Sequence, residues 1–187
     1  KDIIVKDKKS RKESFSRIKP KHVSVLPGNQ GGVEAILKTL PGVSSTNELS
    51  SQYSVRGGNF DENLVYVNGI EVYRPFLIRS GKQEGLSFVN TNMVSSIIFS
   101  AGGFEAKYGD KMSSVLDIRY KKPKETSASL QLSLLGGAAH FEGTNKNRRL
   151  SYIVGARHKT NQYLLNSMDT RADYMPKFSD LQTSISY

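Results

Sequence analysis

The last third of the chain alternates apolar and polar residues. Leucines at 130, 132 and 134 alternate with Ser129, Gln131 and Ser133. Residues 150–158 and 180–187 alternate in the same way, with Arg157 and Asp180 on their polar faces. Because successive side chains of a strand point to opposite faces, each run predicts a strand with one apolar face and one polar face. Residues 138–142 predict a returning strand, with Gly136–Gly137 as the tight turn before it.

Four alternating runs predict an antiparallel sheet over residues 124–187. Two architectures fit this pattern, namely the beginning of a transmembrane β-barrel and a soluble meander with one face in water. No apolar run approaches the roughly 18 residues that a transmembrane helix requires.

Residues 22–123 predict a small α+β domain. The apolar residues Val33, Ile36, Leu37 and Leu40 have helical spacing, and Pro41–Gly42 ends that helix. Asn68–Gly69 lies between two β-prone runs, which is a strong signal for a hairpin with a two-residue turn. Residues 93–99 and 114–120 predict two further strands.

The first 21 residues form a basic lead-in. They hold nine basic and three acidic side chains, whereas the net charge of the whole chain is +10. Such a segment is typical of a weakly ordered arm and raises the question of nucleic-acid binding, although the chain contains no nucleic-acid-binding signature. The β-prone patch Asp2–Val5 fits either an edge strand or a peptide that a partner adds to its own sheet.

The sequence offers little for catalysis. There are no cysteines, and His22, His140 and His158 are not at metal-ligand spacing. Phosphate-binding and GxSxG patterns are missing, and Asp61–Glu62 is an adjacent carboxylate pair of the kind that is usually solvated. We therefore expect no enzymatic activity, no metal site and no cofactor.

Four motifs in order resemble the plug domain of TonB-dependent outer-membrane receptors of the Bacteroidota type. They are Leu40–Val43, Tyr53–Gly58, Asn63–Gly69, and Gly102–Gly109 running into Ser113–Ile118. The resemblance implies an α+β plug domain with a small mixed sheet and short helices over 22–123. Residues 124–187 then resemble the first antiparallel strands of the barrel, so the chain is expected to be a fragment.

The resemblance also implies a function. A receptor of this family lies in the outer membrane of a Gram-negative bacterium, surrounded by lipid, with its N-terminus and plug base facing the periplasm. It imports a scarce ligand with energy from TonB, ExbB and ExbD. The segment Asp2, Ile3, Ile4 and Val5 resembles the TonB box, the extended peptide to which TonB pairs.

Two sets of site residues follow from the resemblance. Ligand-facing plug apices correspond to Asn59, Phe60, Asp61 and Glu62, and to Tyr73, Arg74, Phe76 and Arg79. A charged plug–barrel lock corresponds to Arg56, but Ser95, Ile98 and Ala101 stand where many members carry its charged partners. Because an unpaired buried arginine is costly, we expect Glu105 or the barrel to supply the counter-charge.

The ligand class stays open between a small molecule such as a siderophore, haem or cobalamin, a glycan and a peptide. A surface lipoprotein partner, as in SusC-like members, is compatible with the resemblance. The main alternative is a periplasmic or soluble binding or signalling module built on the same α+β domain. Nucleic-acid binding through the basic arm is a weaker alternative, and we expect no nucleic-acid partner.

Overall fold

The computed structural model describes residues 15–20, 32–45, 51–75, 87–134, 136–160 and 177–187. The TonB-box-like segment Asp2–Val5 lies outside the described residues, as do Phe76 and Arg79 of the second apex. The described elements are β1 (Phe15–Ile18), α1 (Val33–Leu37), β2 (Val43–Ser44), β3 (Ser54–Val55), β4 (Asn63–Val67), β5 (Ile70–Glu71), β6 (Val94–Ser100), β7 (Ser114–Tyr120), β8 (Ser127–Ser133), β9 (Gly136–Thr144), β10 (Ser151–Thr160) and β11 (Lys177–Ser186).

The first part of the chain forms a mixed sheet of five strands in the order β1-β6-β7-β4-β5. Strands β4 and β7 are parallel, with Asn63 opposite Ser114 and Val67 opposite Ile118, and the other neighbours are antiparallel. Strands β2 and β3 form a separate two-residue ladder. This mixed sheet with one short helix confirms the fold class predicted for this part of the chain.

The predicted hairpin joins β4 and β5 at Asn68–Gly69. Asn68 has a φ of 53° and Gly69 a φ of 83°, the positive values that a two-residue hairpin turn of this kind requires. The Asn68 backbone N–H donates to the Ile118 carbonyl at 2.9 Å, and its side-chain oxygen accepts from the Tyr120 backbone N–H at 2.8 Å. The turn therefore also fixes the end of β7.

The core lies between α1 and one face of the mixed sheet. Val33 and Leu37 of the helix are fully buried, as are Ile97 and Ile118 of the central strands. Val89, which precedes β6, belongs to the same cluster. Within the described ranges, no helix is long and apolar enough to cross a bilayer.

The four alternating runs form a second, antiparallel sheet in the order β11-β10-β9-β8. Its register places Ala128 opposite Phe141, Phe141 opposite Val154, and Val154 opposite Thr183. The strand predictions are confirmed, but Gly136 and Gly137 begin β9 instead of forming the turn before it. A side chain at Gly136 would collide with the His158 backbone, so the glycine serves close strand pairing here.

The two faces of this sheet have opposite character. Leu130, Leu132, Leu134, Leu181 and Ile185 are each 67–84 % exposed on the outward face. The opposite face packs toward the mixed sheet and carries Ile153, which is 1 % exposed, together with buried polar residues. An apolar outward face and a polar inner face are the arrangement of a membrane β-barrel wall.

We predict that Ile97→Ala destabilises the mixed sheet by about 2–5 kcal/mol, because it leaves a cavity at a fully buried central position. Ile98→Ala, one residue further along β6 at a half-buried position, should cost about 1 kcal/mol. Hydrogen exchange of the β6 and β7 amides measures both opening free energies. Equal effects of the two substitutions would contradict the assigned core face.

Candidate functional site between the two sheets

Arg157 of β10 joins the second sheet to the segment that leads into β6. Its Nη1 donates to the Val89 carbonyl at 3.0 Å, and its Nη2 donates to the carbonyls of Ser87 and Phe88 at 3.1 and 3.2 Å. The guanidinium therefore binds three consecutive backbone carbonyls. Because Val89 also lies in the core of the mixed sheet, this contact connects that core directly to β10.

The charge of Arg157 is balanced within the second sheet. Asp180 lies opposite Arg157 in the β10–β11 register and accepts from Nε at 2.8 Å and from Nη2 at 3.0 Å. The two side chains are only 8 % and 10 % exposed. A buried ion pair is stable only when its remaining hydrogen-bonding groups are satisfied, and the three carbonyls fulfil that condition for the arginine.

Further polar contacts surround this pair. Gln182 Nε2 donates to the Phe88 carbonyl and, at 3.0 Å, to Asp180. Burial raises the pKa of Tyr120 to about 12, so its hydroxyl stays protonated and donates to Gln182 Oε1 at 3.2 Å. We call Arg157, Asp180, Gln182 and the carbonyls of residues 87–89 the carbonyl latch.

A glycine allows β10 and the segment before β6 to approach each other closely beside the carbonyl latch. A Cβ at Gly155 would lie 2.5 Å from Asn90 Nδ2 and 3.1 Å from Met93 Sδ. Asn92 Nδ2 also donates to Gln131 Oε1 of β8 at 3.3 Å. The segment 87–93 therefore runs along the inner face of the second sheet over several residues.

Glu34 of α1 extends the network into the core. It is 4 % exposed, and its Oε1 accepts from Ser87 Oγ at 2.8 Å, while its Oε2 has no partner among the described residues. Desolvation raises the pKa of this carboxyl, against the opposing effects of its backbone and Ser87 hydrogen bonds and of the charges on Arg157 and Lys38. The segment held by Arg157 is thus also held by a buried acid.

The first predicted apex is a 3-10 turn tied to the chain before β7. The turn spans Phe60–Glu62, where Phe60 is 40 % exposed and Asp61 is exposed. Glu62 Oε2 accepts from Ser113 Oγ at 2.8 Å, and the Asp61 carbonyl accepts from Lys111 Nζ at 2.6 Å. Asn59 precedes this turn and is exposed.

The second predicted apex lies at the same end of the mixed sheet. Glu71 is opposite Tyr66 in the hairpin and the Val72 N–H donates to the Val65 carbonyl, so Tyr73 follows toward the start of β4. Tyr73 is 83 % exposed and Arg74 is exposed. The structure thus brings Phe60–Glu62 and the described part of the second apex, Tyr73 and Arg74, to one end of the sheet, and their contact with ligand stays a prediction.

Arg56 lies where three of the four sequence motifs meet. It has a φ of 51°, its N–H donates to the Gly42 carbonyl at 2.8 Å, and its Nη1 is 3.4 Å from where a Cβ at Gly102 would lie. Glu105 forms an ion pair with Lys107 at 2.8 Å. Arg56 itself is exposed, and its role in a lock with Glu105 stays a prediction.

Sequence reasoning missed the carbonyl latch and Glu34. The alternation placed Arg157 on the polar face of its strand, and Asp180 is one of the polar residues of the last run. Arg157 and Asp180 carry opposite charges on the polar faces of adjacent strands, and this pattern could have predicted an ion pair between them. Their pairing depends on a strand register that the sequence did not provide, and the partner carbonyls are 68–70 residues away in the chain.

We predict that Arg157→Ala weakens the attachment of residues 87–93 by about 3–5 kcal/mol, because it leaves Asp180 buried without its cation. Hydrogen exchange at the Phe88 and Val89 amides should accelerate, and the double variant with Asp180→Asn should recover part of the loss. His158→Ala, on the outward face next to Arg157, is the matched control. Unchanged exchange in Arg157→Ala would show that the latch contributes nothing.

We predict that Glu34→Gln removes a pH dependence from the free energy of unfolding of the domain that contains the mixed sheet. The pKa of Glu34 in the folded state is raised above the ordinary value of 4.5. Its contribution to the free energy of unfolding is therefore fully present below pH 4.5 and is lost as pH rises through the folded-state pKa. At pH values above the folded-state pKa of Glu34, the variant should therefore have a larger free energy of unfolding than the parent. Hydrogen exchange of the α1 amides between pH 4 and 8 measures the difference. Glu125→Gln makes the same chemical change at an exposed position, and an equal effect there would contradict the prediction.

Three solved structures of outer-membrane receptors and transporters have a fold similar to that of this chain. The chain is similar to the siderophore receptor PirA of Acinetobacter baumannii, with a TM-score of 0.62 and 21 % identity over 98 % of this chain and 31 % of that one. It is also similar to the outer membrane transporter YddB of Escherichia coli, with a TM-score of 0.61 and 13 % identity over 92 % and 30 % of the two chains.

A third similar structure is the R480A mutant of the ferric enterobactin receptor PfeA of Pseudomonas aeruginosa in complex with enterobactin. Its TM-score is 0.56, with 23 % identity over 79 % of this chain and 24 % of that one. The present chain thus covers only 24–31 % of the length of these three structures. No curated protein gives a significant sequence match.

The family assignment follows from the sequence itself. The profile of the TonB-dependent Receptor Plug Domain matches residues 8–115, which is more than half of the chain. These residues contain the mixed sheet through the start of β7, the segment held by Arg157 and both predicted apices. The matched family is one of receptors. The chain belongs to the TonB-dependent receptor plug-domain family.

Proposed function

We propose that this chain is the plug and the first barrel strands of a TonB-dependent transporter that imports a scarce ligand across the outer membrane. The observation that carries the proposal is the carbonyl latch, which attaches a plug segment to the inner face of a wall with an apolar outside. A plug held by a few buried polar contacts can close a lumen and still be released. In a soluble domain, a row of exposed leucines would place a large apolar patch in water, which is unfavourable.

The proposed membrane placement rests on the outward face of β8–β11. Exposed leucines and Ile185 would contact lipid in the outer membrane of a Gram-negative bacterium, and Arg157 and Asp180 would face the lumen. The N-terminus and the plug base are proposed to face the periplasm. The Bacteroidota type of receptor and a surface lipoprotein partner stay predictions from the motifs.

Release of the plug requires work on the carbonyl latch. Separating Arg157 from three carbonyls leaves a charged pair less well satisfied, and such buried contacts are expensive to break. We propose that TonB, energised by ExbB and ExbD, pairs with Asp2–Val5 as an added strand and pulls on the plug. A second lock, between Arg56 and Glu105 or a barrel residue, is proposed to act with it.

The apices suit an anionic or ring-bearing ligand. Phe60 and Tyr73 offer exposed aromatic rings and Arg74 offers a cation at the same end of the sheet. A ferric siderophore combines these properties, and by their names PfeA is a ferric enterobactin receptor and PirA is a siderophore receptor. Ferric enterobactin is therefore the first ligand to test, and haem, cobalamin, glycans and peptides are the further ligands to test.

We predict that Ile4→Pro abolishes energised uptake and leaves ligand binding unchanged. Proline removes a backbone N–H and cannot continue the hydrogen bonding of an added strand, so TonB loses its attachment. Uptake of radioactive iron from ferric enterobactin by cells that carry the full-length receptor should fall at least about tenfold, while binding to the same cells at 0 °C persists.

Ile4→Val is the matched control, because it retains the N–H and the β-prone character of the segment. It should transport as the parent does. Normal uptake by the Ile4→Pro variant would remove the TonB-box assignment. Loss of binding and uptake together would indicate damage to the receptor rather than to its energy coupling.

A further inference from the structure

Five cations cluster at the end of the second sheet where β7 leaves the mixed sheet. Lys122 and Lys124 lie in the connection to β8, and Lys146, Arg148 and Arg149 lie in the turn between β9 and β10; we call them the basic rim. All five are exposed, and Glu125 is the single acidic residue in 121–126 and 145–150. Among the described residues, no ion pair neutralises any of the five.

The strand register brings the two halves of the basic rim together. Ser127 lies opposite Glu142, and Lys121 Nζ is 3.5 Å from Glu142 Oε2, so residues 122–126 run beside the turn at 145–150. Like charges placed side by side repel one another. A partner that supplies negative charge would relieve this repulsion.

The turn that carries three of these cations has a defined structure. The Asn145 N–H donates to the Leu150 carbonyl at 2.9 Å, and the Arg148 N–H donates to the Asn145 carbonyl at 2.7 Å. Asn145 Oδ1 also accepts from the Lys146 N–H at 2.7 Å. Lys146, Arg148 and Arg149 therefore project from a closed turn.

Aromatic residues lie beside the basic rim on the outward face. The rings of Phe141 and Tyr152 are 5.8 Å apart, and the Tyr152 ring covers Gly143, where a Cβ would lie 2.5 Å from its hydroxyl oxygen. Tyr187 at the end of β11 is 95 % exposed. Tyrosine is enriched at the boundary between hydrocarbon and headgroups, so this row marks the level of a membrane interface.

An apolar depression continues from the aromatic row along the outward face. It is bordered by Leu130 and Phe141, and its floor is formed by the small side chains of Ala128, Ala139, Val154 and Ala156. Beyond it lie further exposed leucines. The outward face therefore presents cations, then aromatic rings, then an apolar surface, in the order in which a phospholipid presents phosphate, glycerol and acyl chain.

We propose that the basic rim binds the phosphates of anionic phospholipids in the periplasmic leaflet, with an acyl chain along the apolar depression. The proposal rests on the membrane placement given above. Five exposed cations without an ion pair among the described residues complement a negative charge, and this selects anionic over zwitterionic lipids. The position of the rim, at the end of the mixed sheet opposite the proposed ligand-facing apices, selects the periplasmic leaflet.

The test measures lipid binding to the purified full-length receptor by native mass spectrometry. Detergent-solubilised protein is titrated with cardiolipin, phosphatidylglycerol or phosphatidylcholine. Each basic residue near an anionic surface contributes about fivefold to affinity, so the combined change of Lys146, Arg148 and Arg149 to Gln should weaken cardiolipin binding by about a hundredfold. Binding of phosphatidylcholine should not change.

A charge-matched control replaces Arg17, Lys107 and Lys177 by Gln, which removes the same charge at exposed positions away from the basic rim. It should bind cardiolipin as the parent does. A second variant, with Lys122→Gln and Lys124→Gln, tests the other half of the rim without changing the turn. It should weaken binding by about twentyfold or more.

Several results would overturn the proposal. Equal affinity for cardiolipin and phosphatidylcholine, or equal loss in the control variant, would show that the basic rim does not select anionic lipid. Stronger binding of lipid A than of cardiolipin would place the rim in the outer leaflet, and competition by inorganic polyphosphate at equal phosphate concentration would show unspecific charge attraction. Normal uptake of ferric enterobactin alongside any of these results would leave the proposed transport function standing.

Discussion

The architecture depends on one buried cation. Arg157 carries a full charge at a site that is nearly closed to solvent, and its environment must supply acceptors in every direction that its N–H groups point. Asp180 provides the counter-charge from the neighbouring strand, and the carbonyls of residues 87–89 provide the remaining acceptors. Because those carbonyls come from the segment that leads into the mixed sheet, satisfying the arginine also determines how the two sheets are joined.

The same segment connects three separate environments. Val89 packs into the apolar core, and the Ser87 side chain donates to the buried acid Glu34. The backbone carbonyls of residues 87–89 accept from Arg157. Movement of this segment would therefore expose apolar surface, alter the solvation of a carboxyl and disrupt an ion pair at the same time. Such coupling makes its release cooperative, which is useful for a gate that should be either closed or open.

Local signals in the sequence predicted the fold well. The Asn68–Gly69 turn and the strand at 114–120 depend on residues close together in the chain, and alternation placed Arg157 on the polar face. The error at Gly136–Gly137 has a physical cause, because glycine favours turns but is also required where another backbone approaches closely. The latch could not be predicted because it depends on register and on backbone atoms far away in sequence.

The partners of Arg157 on the plug side are backbone atoms, and this has an evolutionary consequence. Every amino acid presents the same carbonyl, so residues 87–89 can change identity without loss of the guanidinium contacts, provided that the chain path is kept. The side chains are constrained by other contacts: Val89 must fit the apolar core, and Ser87 must donate a hydrogen bond to Glu34. Phe88 packs half-buried against the same core, so it is required only to be apolar. Pairwise covariation between Arg157 and residues 87–89 would therefore fail to detect the contact that holds this segment to β10.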